Sequence, residues 1–344
     1  ENVGPKVSAE LLKSGIIVFS IVLSLFIVEI SIRIFTSQPY YGYPKYMYRN
    51  DQEIGFSLTP DFEGRHIQPD FNIKYNFNSY GFRGREIYKE ELDSSIRLLL
   101  LGDSVAFGNG VSFEKSWAYR LEKKLNNGFD EKQKYIVVNT GVPGYGQDEE
   151  IKLFKKWGKN LKPHIVLTTF CTNDWNDNSS QYIEDGYVVN NRGSASRIKV
   201  FLNLHSRLYT FIVLRIKSTS WWHRNREDRG EARISPPVNI AKKNIASLDR
   251  EVKALGMKHY LVYFPDKTYN HTNKDDHRRF LKLCKELNIP VIDLYPEFNV
   301  NPEERRRLYF KIDPHWNDRG NEHAAEAIYK NLKPVLKNIA SQID

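Results

Sequence analysis

The sequence predicts an α/β protein built on a parallel, doubly wound sheet of five strands. Five short and almost wholly apolar runs, which are typical of strands buried on both faces, recur from residue 96 onward. Segments with helical spacing separate them, and strands that alternate with helices favour a parallel sheet. In such sheets ligands bind beyond the carboxyl ends of the strands, so functional residues are expected there.

The composition is that of an ordinary folded protein. The 344 residues are 40% hydrophobic, 13% aromatic and 27% charged, which excludes a disordered chain. Two cysteines, Cys171 and Cys284, are too few for a disulfide-stapled or cysteine-rich zinc fold. The net charge of +9 is spread along the chain among acidic residues, so we expect no nucleic acid as a partner.

The first element in the chain is a long apolar segment. Residues 1–14 are predicted to be a tail and residues 15–36 a transmembrane helix, because about 21 helical residues span a bilayer core. Glu29 and Arg33 interrupt the segment, but at this spacing they can pair on one helix face. The alternatives are a buried core helix and a cleaved signal peptide, although no small-residue cleavage site follows. We expect a single-pass anchor in the lipid of the cell membrane, whose orientation the flanking charges leave open.

A region rich in Tyr, Phe, Asn, Gly and Pro follows at residues 38–92. Apolar and polar residues alternate over 71–77, which predicts a strand. About 50 residues rarely form a core alone, so we expect a small β-rich lead-in packed on the main domain, residues 93–344.

The main domain alternates strands and helices. Strands are predicted at residues 96–103, 135–142, 164–170, 259–265 and 290–296. One helix is predicted to begin at Trp117 and a second to run from Pro236 to about 255. Others are predicted at about 147–160, at about 273–287 and at 316–340. An insertion, residues 175–235, contains one more helical pattern around 201–212. It is interpreted as a helix packed on the domain, a lid, or a helix on the membrane surface anchored by Trp221 and Trp222.

Candidate catalytic groups follow several of the strands. Ser104 comes directly after the first, within Gly102-Asp103-Ser104, and Asn173 after the third. A glycine-containing loop, residues 139–146, follows the second strand, and Asp313 and His315 precede the last helix. Serine catalysis needs an imidazole base and a carboxylate that orients it. Taken singly, Ser104 and Asn173 are also explained as helix caps, and the glycine-containing loop as a turn.

Together, and in this order, these blocks resemble the SGNH hydrolases, also called the GDSL esterase/lipase superfamily. The resemblance covers about residues 96–340 and implies a three-layer α/β/α fold, ester chemistry and no metal or organic cofactor. It implies that Ser104 is the nucleophile, His315 the general base and Asp313 its orienting carboxylate. The oxyanion hole would be formed by the N–H groups of Ser104 and Gly144 and by the side chain of Asn173. A metal site at His271, Asp275 and His277 is a further alternative.

Two positions depart from the pattern of the superfamily. Cys171 stands where the third block usually has glycine, and the last block reads Asp-x-His instead of Asp-x-x-His. The shorter spacing, followed by Trp316-Asn317, resembles membrane-anchored SGNH-like proteins of polysaccharide O-acetylation systems. That likeness implies an extracytoplasmic (periplasmic) domain that hydrolyses or transfers acyl groups of a cell-envelope glycan or lipid. The alternative is a non-catalytic SGNH-fold subunit that holds a membrane-protein partner.

Overall fold

The computed structural model of the protein describes residues 4–36, 42–129, 133–175, 181–184, 186–190, 198–199, 201–203, 205–217, 238–267 and 271–341. The chain divides into two compact units, Glu1–Tyr41 with Arg192–Gly230, and Gly42–Asn191 with Glu231–Asp344. The expected membrane anchors Trp221 and Trp222 lie outside the described residues.

The described helices and strands have the following bounds. The helices are α1 (Gly4–Phe35), α2 (Lys89–Asp93), α3 (Ser104–Phe107), α4 (Trp117–Gly128), α5 (Gln147–Leu161), α6 (Arg207–Lys217), α7 (Val238–Ala254), α8 (His271–Leu287), α9 (Tyr295–Phe298), α10 (Pro302–Leu308) and α11 (Asp318–Ala340). The strands are β1 (Tyr48–Asp51), β2 (Gly55–Leu58), β3 (Glu63–Gln68), β4 (Phe71–Asn76), β5 (Ser95–Leu101), β6 (Lys134–Asn139), β7 (Ile165–Phe170), β8 (Gln181–Glu184), β9 (Tyr187–Asn190), β10 (Lys258–Tyr263) and β11 (Val291–Asp293).

The first unit contains the apolar helix α1. Its stretch Leu11–Phe35 is long and apolar enough to cross a membrane. The helix begins at Gly4, before the start of the predicted span at residue 15. Most of its large apolar side chains from Leu11 to Phe35 are exposed.

Helix α6 packs on α1 through Glu29, one of the two charged residues of the apolar segment. The Glu29 carboxylate accepts hydrogen bonds from the main-chain N–H groups of Arg207 at 2.9 Å and Leu208 at 2.8 Å. It also accepts one from the Ser206 hydroxyl at 3.1 Å and pairs with Arg33 at 2.7 Å. The first N–H groups of a helix have no partner within it, so the carboxylate supplies one. Glu29 therefore joins the two helices of this unit.

The second unit is built on a five-stranded parallel sheet in the order β11-β10-β7-β5-β6. This confirms the predicted fold class. Each predicted strand is present. Strand β7 ends where predicted, at Phe170, and the other four end two or three residues earlier than their apolar runs, because the last residues of those runs already belong to a loop. The strand order places β5 between β6 and β7, so the loops after these three strands are neighbours.

Helices cover both faces of the sheet. Alternate residues of β5 point to opposite sides: Leu98 and Leu100 pack with α4 and α11, and Leu99 and Leu101 pack with α5 and α7. A further cluster beside β10 includes residues of α7 and α8. Strands covered on both faces must be apolar throughout, which is why the sequence shows continuous runs.

The lead-in forms two antiparallel hairpins, β1–β2 and β3–β4. Met47, Tyr75 and Phe77 are buried and belong to the same core as Leu99 and Val138 of the sheet. The lead-in thus shares the core on one face of the five-stranded sheet. Only β4 was expected from the sequence, because β3 is mostly polar (EGRHIQ).

Candidate active site

Ser104 lies at a sharp turn between β5 and α3. Gly102 has φ of +150°, and a Cβ at that position would overlap the hydroxyl of Thr169 on β7, so glycine is required. Asp103 then caps α3, since its Oδ1 accepts the N–H of Val105 at 2.8 Å. Ser104 is the first residue of α3, and its half-buried side chain stands at the carboxyl edge of the sheet.

The loop before α11 brings an imidazole and a carboxylate to this serine. Ser104 Oγ lies 2.6 Å from His315 Nε2, and His315 Nδ1 lies 2.6 Å from Asp313 Oδ1. The same Oδ1 accepts the His315 main-chain N–H at 2.9 Å. These three residues, predicted from two separate blocks of sequence, form one hydrogen-bonded chain in the order that serine catalysis needs.

Asn173 is attached to the residue that precedes the serine. Its Nδ2 donates to Asp103 Oδ2 at 2.9 Å, and the Cys171 thiol donates to its Oδ1 at 2.7 Å. The Asn173 side-chain amide is therefore held at both of its polar atoms. The carboxylate acceptor identifies the nitrogen and the thiol donor identifies the oxygen. Asp103 holds both the start of α3 and this amide. Sequence reasoning gave Asp103 no role, although an aspartate directly before a helix is a recognisable cap.

The loop after β6 lies beside the serine turn. The Val142 N–H donates to Gly102 O at 3.0 Å, and the Asn139 amide donates to Ala106 O at 2.9 Å. Gly141 approaches α3 so closely that a Cβ would collide with its backbone. Gly144 has φ of +95°, a conformation that side chains disfavour. The predicted donor Gly144 thus belongs to a loop attached on both sides of Ser104.

Comparison with known proteins agrees with this geometry. A model of the GDSL-like Lipase/Acylhydrolase family matches residues 100–323, more than half of the chain. The chain belongs to the GDSL-like lipase/acylhydrolase family. The matched range contains all five residues predicted for the site.

Solved structures of similar fold come from several bacteria. A lipase/acylhydrolase from Enterococcus faecalis is 17% identical with a TM-score of 0.44, covering 69% of this chain and 95% of that chain. A psychrotrophic esterase from a Pseudoalteromonas species is 13% identical with a TM-score of 0.43, covering 71% and 100%. A GDSL-like lipase from Bacteroides thetaiotaomicron is 15% identical with a TM-score of 0.41, covering 73% and 93%. A search of curated proteins finds no match. Family membership rests on the family model, because these identities are low.

Burial and charge have opposite effects on the two acid–base groups of this GDSL-family site. Burial lowers the pKa of His315, but Asp313, followed by Asp103 and Asp266, outweighs burial, and the net pKa is raised. Burial raises the pKa of Asp313, but the neighbouring His315 outweighs it, and the net pKa is lowered. The site therefore stabilises an imidazolium–carboxylate pair, which is the charge state reached when the histidine takes a proton from the serine.

The lead-in also contacts the segment after the nucleophile. The buried Arg83 guanidinium donates to the carbonyls of Phe107 at 2.6 Å and Gly108 at 2.5 Å, and also to that of Val111. Burial lowers the pKa of Arg83 to about 10, so it keeps its charge at neutral pH. Arg83 holds the carbonyls at the end of α3, and no local sequence signal indicated this contact.

The predicted alternative metal site receives no support in the described ranges. Among these residues, no three His, Cys, Asp or Glu side chains are grouped so that they could hold a metal ion. His277 instead contacts Asp293 at 2.9 Å and stacks on Tyr295 at 4.2 Å, within the packing between α8 and the last strand.

Proposed function

We propose that this protein is a membrane-anchored serine ester hydrolase or O-acyltransferase that works through an acyl-serine intermediate. The observation that carries the proposal is the hydrogen-bonded chain from Ser104 Oγ through His315 to Asp313, with both contacts at 2.6 Å. Its substrate would be an acyl ester, most simply an acetyl ester, of a cell-envelope glycan or lipid. The substrate class rests on the resemblance of the last sequence block to polysaccharide O-acetylation proteins.

The contacts support a two-step acyl transfer. His315 Nε2 takes the proton of Ser104 as its oxygen bonds to the ester carbonyl carbon, and Asp313 stabilises the imidazolium that forms. The tetrahedral adduct then expels the alcohol, which receives the proton from His315. Water or a sugar hydroxyl attacks the acyl-serine in the second step, with His315 again as base. Water gives hydrolysis and a sugar hydroxyl gives acyl transfer.

Three donors would stabilise the oxyanion of each tetrahedral adduct. Two are the N–H groups of Ser104 and Gly144, and the third is the Asn173 amide. The contact between Asn173 and Asp103 supports this role, since it orients the amide before substrate arrives. A preorganised donor of this kind contributes about 10²–10³ in rate.

Anchoring is supported by α1. Its stretch Leu11–Phe35 has the length of a bilayer span, and its apolar side chains are exposed to the surroundings. The one carboxylate in its carboxyl-terminal part, Glu29, is satisfied by α6 and Arg33. We place the catalytic unit on the extracytoplasmic side, because the proposed substrate is made accessible there.

The test is labelling of the detergent-solubilised full chain with a fluorophosphonate, which bonds to an activated serine with loss of fluoride. We expect wild type to be labelled and Ser104→Ala and His315→Ala to be unlabelled. Ser112→Ala is the matched control, since this nearby serine makes no capping hydrogen bond and should leave labelling intact. Folded wild type that fails to react would favour the alternative, a non-catalytic subunit that holds a membrane-protein partner.

A further inference from the structure

The hairpin β3–β4 of the lead-in reaches the loop that carries Asp313 and His315. Asp70 lies in its turn, directly before β4. Asp70 Oδ2 accepts hydrogen bonds from the main-chain N–H groups of Ile312 and Asp313, both at 2.7 Å. One carboxylate oxygen of the lead-in thus holds two successive amides of the catalytic loop, and such charge-assisted bonds are about twice as strong as neutral ones.

The catalytic loop depends on outside contacts for its shape. It is closed at its base by the bridge between Tyr309 and Trp316, and the Phe310 N–H donates to His315 O at 3.1 Å. Its tip belongs to neither a helix nor a strand. Lys267 Nζ donates to the carbonyls of Lys311 at 2.7 Å and Asp313 at 3.4 Å. The amides of the loop are therefore held by a carboxylate and its carbonyls by an ammonium group.

A second contact joins the same hairpin to the histidine. The hydroxyl of Tyr75 on β4 donates to Asn109 Oδ1 at 3.0 Å and accepts the Gly110 N–H at 2.9 Å. The Asn109 amide nitrogen in turn lies 3.2 Å from His315 Nδ1. The neighbouring His66, whose pKa burial lowers to about 4, is neutral and contacts the same hydroxyl at 3.2 Å. Tyr75, Asn109 and His66 are uncharged at neutral pH. Because His315 Nδ1 carries the proton that it donates to Asp313, the Asn109 amide packs against the imidazole without forming a second hydrogen bond to Nδ1.

We propose that Asp70 is a positioning residue of the active site, which sets the place of Asp313 and His315 relative to Ser104 through its bonds to Ile312 and Asp313. The lead-in then positions catalytic residues in addition to packing against the core. This proposal deepens the proposed function and rests on it for its link to turnover.

Two substitutions at position 70 separate hydrogen bonding from charge. Asp70→Ala removes the acceptor, whereas Asp70→Asn keeps one oxygen that can accept both amides. Asn72→Ala is the control on the same hairpin, since Asn72 is exposed and binds the exposed Arg65 at 3.0 Å. If Asp70→Ala does not fold, Asp70→Ser replaces it, because a serine hydroxyl is one atom too short to reach the loop.

The first readout is kinetic, on a nitrophenyl acetate. We expect Asp70→Ala to lower kcat about tenfold to hundredfold with KM nearly unchanged, because displacing a catalytic group by about 1 Å can cost that much. Asp70→Asn and Asn72→Ala should stay close to wild type. A folded Asp70→Ala whose kcat lies within about twofold of wild type would overturn the proposal. Equal losses in folded Asp70→Asn and Asp70→Ala would also overturn it, because they would show that the acceptor is not what matters.

The second readout does not need turnover. Titration of His315 followed by NMR should give a raised pKa in wild type, and in Asp70→Ala a value nearer the ordinary one of about 6.5. Asp103 and Asp266 also face the imidazole and are unchanged in this variant. An unaltered His315 titration in folded Asp70→Ala would count against a positioning role. If wild type were inactive but the titration changed, the proposed function would fail while Asp70 kept its role.

Discussion

At the scale of single residues, the short spacing of the last block is compatible with the geometry that serine catalysis needs. Asp313 Oδ1 accepts both the His315 main-chain N–H at 2.9 Å and its Nδ1 at 2.6 Å. A spacing of two residues is sufficient for this pairing, because the Asp313 side chain turns back toward the main chain and the ring of His315. This pairing could be predicted from sequence, since the partners are neighbours in the chain. The contact of Asp70 with Asp313 could not, because only the tertiary fold joins residues so far apart.

The pKa of His315 determines how activity depends on pH. The base must be neutral to accept the serine proton, so activity falls as pH drops through a pKa that Asp313 raises. We expect the acid limb of kcat/KM above about 6.5, the ordinary histidine value. Asp313→Asn should move this limb to lower pH and reduce kcat about 10³–10⁴-fold, because the tautomer and the imidazolium are no longer stabilised.

The measurement is a pH profile of kcat/KM for a nitrophenyl ester with wild type and Asp313→Asn. Asp275→Asn is a suitable control, since Asp275 is exposed and pairs with Arg278 on α8. A wild-type acid limb at or under the ordinary histidine value, or one that Asp313→Asn leaves in place, would contradict this account of the pair.

At the scale of elements, the strands that are buried on both faces were the easiest to predict from the sequence. The five strands of the sheet are covered on both faces and show continuous apolar runs, so all five were predicted. Strand β3 is half-exposed and polar, and its pairing with β4 supplies the order that its own sequence lacks. Helix α6 was expected from its spacing, but its partner was not. Its contact with α1 depends on Glu29, which in the sequence is only a charged residue that interrupts an apolar segment.

Glu29 should determine how firmly α6 is attached to α1. Removing the carboxylate in Glu29→Ala leaves the first N–H groups of α6 without their acceptor. Losing a capping acceptor costs about 0.5–2 kcal/mol, so we expect the Arg207 and Leu208 amides to exchange with solvent about 2- to 30-fold faster.

Hydrogen exchange of the full chain in detergent measures this effect. Ser31→Ala is the matched control two residues away, because the Ser31 hydroxyl donates to Ile27 O within α1 itself. Unchanged exchange at the start of α6 in Glu29→Ala would show that other contacts hold the two helices together.

At the scale of the whole molecule, one chain joins an exposed apolar helix to a serine-type site. The exposed side chains of α1 would be unfavourable in water, and the described catalytic unit accounts for its own core without them. The sequence therefore predicted the anchor and the site independently, each from local pattern. It could not predict that the lead-in contacts the active site, because Asp70 and Arg83 reach the site only through tertiary contacts.

Membrane insertion of α1 should depend on its apolar centre. Arginine at a helix centre costs about 2.5–3.5 kcal/mol, whereas each Leu, Ile, Val or Phe contributes about 0.3–0.6 kcal/mol. Two arginines, in Val18→Arg with Val22→Arg, therefore offset roughly a dozen apolar side chains. After an alkaline carbonate wash of membranes, we expect wild type in the pellet and the arginine pair largely in the supernatant. Leucine at the same two positions is the control and should stay in the pellet. Wild type recovered in the supernatant would instead mean that α1 is no anchor and that the GDSL-family unit works free of the bilayer.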